Sequence, residues 1–336
     1  MKIFNIALLL LISFVLFSGC SSKRQYFEPK NIKYEVRYDG SLPADIVDVT
    51  KGGATLRNGQ IITSAGLQNI KVPKGFTFLG NDDGKYLATS KCGELVVLNN
   101  KSEVIYRRKF DNAIASAAIK KSKIAIVFSS NREILLNIDT NKILFDLQGD
   151  SVYALDSRMA APYFLNSLII YPTLDGKLLI IDEKSGKVIR DVVVGSEKFF
   201  GNIIYLGVLG NRLVAATNKR VISINPKSMG IFDEDIKDVI VLKNRVFIFT
   251  KDGSVILCDA DLKELKRRKF PFAVFAGTIY GNFIYMIERG GYLIATDIDL
   301  ISTNIYRMPD NIDSFLYFTK DALYYKDKYF KLSKKK

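Results

Sequence analysis

Asp175-Gly176-Lys177-Leu178-Leu179-Ile180-Ile181-Asp182 decides the fold. A turn dipeptide opens it, because glycine tolerates the positive φ that a tight hairpin needs. A five-residue strand follows, and an acidic residue closes it. The same unit recurs as Gly93-Glu94-Leu95-Val96-Val97-Leu98-Asn99, Gly253-Ser254-Val255-Ile256-Leu257-Cys258-Asp259 and Gly291-Tyr292-Leu293-Ile294-Ala295-Thr296-Asp297. Arg107-Arg108-Lys109-Phe110 returns as Arg267-Arg268-Lys269-Phe270, each closing its unit. The terminal position runs through Ala65, Asn99, Asp139, Asp182, Asn225, Asp259, Asp297 and Ser333. Its mean spacing is about 38 residues, the length of a four-stranded propeller blade.

Short segments rich in Val, Ile, Leu, Phe and Tyr fill the rest of the chain. Asn58-Gly59, Asp252-Gly253 and Gly290-Gly291 add further hairpin signals. One four-stranded blade buries only part of its apolar surface, so it needs neighbours on both faces, and closing the array removes the exposed ends. The fold class is therefore all-β: a closed β-propeller of eight four-stranded blades, with seven as the alternative. The eighth unit offers 314–318, 322–326 and 329–332 but no fourth strand. Lys33-Tyr34-Glu35-Val36-Arg37-Tyr38 is a strand without a unit and is expected to supply it, covering an edge. The repeated Asn or Asp is expected to cap the following turn by accepting backbone N–H bonds.

Upstream, Lys2 and the apolar run Ile3 to Phe17 lead to Ser18-Gly19-Cys20-Ser21-Ser22. This reads as a bacterial lipoprotein signal, since about 15 apolar residues are too few to span a bilayer. Cleavage before Cys20 and acylation of that residue would place the chain on the periplasmic face of the outer membrane. The bilayer itself is then a partner through the Cys20 acyl chains. The expected boundaries are a signal peptide at 1–19, a lipidated linker at 20–29, one propeller domain at 30–333 and a basic tail at 334–336.

The whole chain carries 49 Lys and Arg against 35 Asp and Glu, a formal charge of +14, or +13 once Lys2 leaves with the signal. Such a balance suits acidic headgroups or an acidic partner face, while the expected compartment argues against nucleic acid. The chain has no histidine, which removes the commonest general base and metal ligand and any Ser-His-Asp triad. Of three cysteines, Cys20 takes lipid, Cys258 occupies the repeat position of Ile181 and Leu98 and should pack as a small hydrophobe, and Cys92 lies four units away. A bond between Cys92 and Cys258 would have to cross the ring, beyond the ~7 Å that a disulfide spans between Cα atoms.

The stretch from Asp175 to Ile189 resembles the repeat of pyrroloquinoline-quinone-type propellers. With the Cys20 signal and the eight-unit length, the chain most resembles the BamB-like propeller lipoproteins of the outer-membrane β-barrel assembly machinery. The family repeat usually ends in a Trp that docks between blades; here Arg190 follows Ile189 and the chain has no Trp, so Tyr and Phe must do that packing. The resemblance implies a non-catalytic scaffold without cofactor, whose inter-blade loops bind the large barrel subunit or nascent outer-membrane proteins. The family's partner loop corresponds to 156–162, which makes Asp156 and Arg158 the candidate contacts. Two other readings are an envelope glycan or peptidoglycan binder, using Tyr324-Tyr325, and a quinone-dependent dehydrogenase, for which the chain offers neither a Trp floor nor adjacent cysteines.

Overall fold

The computed structural model describes residues 29–270 and 274–334. The signal and Cys20 lie outside the described residues. Among the described residues there is no α-helix, and the strands form eight sheets. In blades one to seven, four consecutive strands form an antiparallel meander. In the fourth, Tyr163–Leu165, Leu168–Pro172, Lys177–Asp182 and Val188–Val193 pair in order from the axis outward. The four hairpin glycines Gly59, Gly176, Gly253 and Gly291 hold φ between +86° and +89°, each joining a blade's second strand to its third.

Successive residues of a strand point to opposite faces. In the deciding unit Leu178 and Ile180 join Ile222 and Ile224 of the fifth blade, while Leu179 and Ile181 join Ala125, Val127 and Leu135 of the third. Every pair of neighbouring blades shares such a cluster, including the eighth with the first, where Ala322 and Tyr324 meet Ile46, Leu56 and Ile62. The innermost strand of the eighth blade, Leu316–Phe318, touches both Val274–Tyr280 of the seventh and Ile46–Thr50 of the first, so the ring is closed.

The N-terminal segment does close the eighth blade, but through different residues from those expected. Gly40–Ser41 pairs antiparallel with Tyr329 and Lys328 as its outermost strand. Within the expected strand, Tyr34–Glu35 instead pairs parallel with Tyr306 and Arg307, as a fifth strand on the seventh blade. Val36, 2% exposed, is buried in the cluster between blades seven and eight with Tyr306 and Phe330. The segment thus straps two blades, since its apolar anchor fits the seam between them rather than one sheet.

The repeated polar position does cap turns. Asn99 Oδ1 accepts from Lys101 and Glu103 N–H, Asn225 Oδ1 from Lys227 and Ser228, and Asp259 Oδ1 from Asp261 and Lys263. In the third blade the cap is Asn137, which accepts from Asp139 and Thr140 N–H; Asp139 sits inside the turn. The third strand there ends at Asn137, so the cap follows the strand end and not the repeat count. Phe110 and Phe270 pack in the seams after blades two and six, with the Arg108 and Arg268 guanidinium carbons 5.2 and 5.5 Å from their ring centroids. Arg108 also donates to Asn141 O at 3.2 Å and Arg268 to Ile301 O at 2.7 Å, each on the next blade. The repeated Arg-Arg-Lys-Phe is therefore a strut between blades, made of a stacked Arg–Phe pair in a chain without Trp.

Candidate functional site

One face of the ring carries the connections between blades together with the turns between second and third strands. Its two longest connections, 149–162 and 194–204, flank the fourth blade. They are fastened to one another. Phe200 N–H donates to Ala154 O at 2.9 Å, and Ala160 N–H to Ile203 O at 3.0 Å. Buried Asn202 completes the joint: its Oδ1 accepts Asp156 N–H at 2.7 Å, and its Nδ2 donates to Arg158 O at 3.0 Å. Gly176 fits beneath only because it lacks a side chain; a Cβ would lie 2.6 Å from Gly195 O. The pair of loops holds three aromatics in solvent: Tyr153 is 77% exposed, Phe199 60% and Phe200 48%. The Tyr153 and Phe199 ring centroids are 6.0 Å apart.

Asp156 and Arg158 lie at the root of this platform, each more than half buried. Arg158 grips Asp156 with two side-chain hydrogen bonds, Nε to Oδ1 at 2.8 Å and Nη2 to Oδ2, and its own N–H donates to Oδ1 at 2.9 Å. Its Nη1 reaches blade six and donates to Ile236 O at 3.2 Å and to Lys237 O. Burial would raise the Asp156 carboxyl, but the bonds from Arg158 outweigh it and hold it below the usual carboxylate range. The two candidates are thus together, and their charges are engaged in tying the fourth blade's entry loop to the sixth blade.

Arg158 also borders a cavity of about 710 Å³ along the ring axis, with Lys51, Lys91, Lys237, Asp48 and Asp238 on its wall. Lys51 projects from the first blade to Asp238, 3.5 Å away, and lies 5.8 Å from the Tyr205 ring centroid. Burial, reinforced by the Arg158 charge, pushes the Lys237 ammonium below its ordinary value. Beneath the same face Glu133, 1% exposed, is pushed up to about 8 by burial and by the Asp175 charge, so it is neutral at pH 7. Asp175 itself is held low, as Lys177 and Thr173 outweigh its burial.

Sequence reading passed over Phe199, Phe200 and Tyr153. The available signal was an aromatic pair between Lys198 and Gly201, outside any strand pattern. Sugar stacking by Tyr324-Tyr325 requires exposed rings, but both lie in the strand Ala322–Tyr325 and are buried, because they fill the faces toward blades one and seven. Cys258 packs between blades five and six, where burial pushes its thiol up to about 12, and Cys92 is exposed in a turn; neither is disulfide-bonded.

No family model matches the chain. Plasminogen-binding protein PgbB from two strains of Helicobacter pylori is 31% identical to it, over 94% of this chain and 67% of PgbB. The chain belongs to the PgbB family. Among solved structures it is similar to BamB from Moraxella catarrhalis, with TM-score 0.64 and 16% identity over 86% of this chain and 94% of BamB. It is as similar to the C-terminal WD40 domain of Sif2, with TM-score 0.66, 13% identity and coverage of 89% and 99%. The computationally designed Ika8 protein gives TM-score 0.66 and 15% identity over 87% and 98%. These structures share the propeller with the chain, while its sequence relationship is to PgbB.

Proposed function

We propose that this chain is a non-catalytic scaffold, held at the periplasmic face of the outer membrane through acylated Cys20, which binds a partner protein on the platform made by 149–162 and 194–204. The observation that carries the reading is the exposure of Tyr153, Phe199 and Phe200 on loops whose backbones are fastened together. Exposed aromatics on a rigid base are the typical energetic centre of a protein interface, because little ordering is left to do on binding. The likeness to BamB supports a subunit of the outer-membrane β-barrel assembly machinery as that partner.

The 31% relationship to PgbB favours a second reading, in which the same platform binds plasminogen. One experiment separates the two. The full chain is used to capture barrel-assembly subunits from solubilised envelope and, in parallel, purified plasminogen. F199S/F200S should lower capture of the true partner at least tenfold and shift the melting temperature little, since about half or more of each residue is exposed. Capture of neither protein, or undiminished capture by the double variant, would overturn the assignment of the site.

A further inference from the structure

A second surface repeats around the ring, on the face opposite the partner platform. The outermost strands of blades two, three, four and six each carry a β-bulge near their start. The residue left unpaired is Ile105, Leu144, Ile189 and Leu265 in turn. Blades one and five place Leu67 and Met229 at the second and first residue of the same strand, and blade seven places Ile301 in the turn two residues before it. All seven side chains are 40% to 70% exposed. Single exposed aliphatics are ordinary; one at the same station of seven blades is a rim. Bulges re-aim side chains, and four of them turn these outward.

Blades one to seven run in the same sense, so in each the outermost strand starts beside the turn from the third strand, and the rim lies on that face. The turns carry exposed lysines, Lys101, Lys142, Lys184, Lys187, Lys227 and Lys263. Several of their acids are engaged within the fold: Glu183 with Lys123, Asp261 with Arg212, Asp299 with Arg245, and Asp259 and Asp297 as caps.

The described chain begins on this same side. Lys33 N–H donates to Ile305 O at 2.8 Å, and Tyr34 runs parallel beside Tyr306. Ile32, on the Ile301 side of this pairing and exposed, extends the rim. From Cys20 to Pro29 the chain can span at most about 30 Å.

We infer that this rim is a lipid-facing surface: the ring lies with its third-to-fourth-strand turns against an anionic bilayer, and the partner platform faces away. The aliphatic side chains enter the headgroup boundary and the turn lysines meet phosphate groups, the chemistry of an interfacial binder. The stations recur at the same end of seven blades around one ring, which suits a broad, flat partner. The inference extends the anchored-scaffold reading, but the rim is independent of Cys20 chemistry; mass spectrometry of the mature N-terminus tests the anchor separately.

The absence of Trp allows a clean test. Single reporters I105W, I189W and F200W are introduced into the full chain, which is reconstituted into vesicles of phosphatidylethanolamine and phosphatidylglycerol with brominated acyl chains. The two rim reporters should be quenched at least threefold more than F200W, and I105S/I189S/L265S should weaken vesicle retention about tenfold. Equal quenching of the three reporters, or none, would overturn the inference. Blue-shifted but unquenched rim reporters together with a dimer in sedimentation would also overturn it, in favour of a second copy on this face.

Discussion

At the scale of single residues, two carboxyls near the platform push stability in opposite directions with pH. Asp156 has its folded value depressed, so its contribution is present above about pH 4, the unfolded value, and is lost as pH falls through the folded one. Glu133 has its folded value raised to about 8, so its contribution is complete below about pH 4.3 and is lost as pH rises toward 8. Each pH unit in that upper window removes up to about 1.4 kcal/mol. The melting temperature should therefore decline from pH 5 to pH 8, and E133Q should flatten that limb. A variant with the wild-type slope would show that Glu133 is not the group responsible. Arg158→Ala leaves Asp156 without its cation and cuts the tie to blade six, which should cost about 2 kcal/mol. Arg158→Lys should recover little, because one ammonium cannot hold Asp156 bidentately while reaching Ile236 O. Calorimetry of both variants checks this. The sequence marks Asp156 and Arg158 as a pair on one loop but shows neither their tie to blade six nor the burial of Glu133. Glu133 follows Arg132 in an ordinary-looking strand, and only the neighbouring blade makes it buried.

At the scale of elements, strand type, turn position and blade order were legible because they follow local rules: glycine at positive φ, apolar runs of fixed length, a capping side chain. The strap was legible only in part. Lys33 to Tyr38 reads as a strand, but which edge it covers depends on where Val36 can be buried, and that is a property of the seam between blades seven and eight. The short Gly40–Ser41 has no apolar pattern at all. Gly40 is chosen by proximity, since a Cβ there would lie 2.8 Å from the Tyr329 ring. Gly40→Leu should therefore displace the closing strand and lower the melting temperature by several degrees. Ser41→Ala, one residue on and exposed, should have almost no effect. Thermal denaturation of the pair distinguishes a closing strand from a passive linker: equal effects would mean that the pairing with Tyr329 contributes nothing. The rim bulges belong to this scale too. A period-2 reading treats Ile105, Leu144, Ile189 and Leu265 as ordinary strand residues, because an extra residue in one strand is invisible until its partner strand is known.

At the scale of the molecule, closure changes what a local defect does. In an open stack each seam matters mainly to its two neighbours, and damaged repeats can fray separately. Here the seam joining blades eight and one is built like the seam joining four and five, with apolar side chains from both partners and no free end. Leu56 and Leu178, 1% and 0% exposed, occupy these two seams. Truncating either to Ala should cost about 2–5 kcal/mol, and both variants should melt in one transition with calorimetric and van't Hoff enthalpies in agreement. The comparison is informative because the seams differ in sequence separation. Leu178 packs on residues of the next unit, whereas Leu56 packs on Ala322 and Tyr324 from the far end of the chain. If the terminal blades were only loosely docked, Leu56→Ala would split the transition and release blades one and eight at lower temperature, while Leu178→Ala would not. A single transition in both variants would mean that the ring unfolds as one body, the stiffness that the proposed platform and the proposed rim both require.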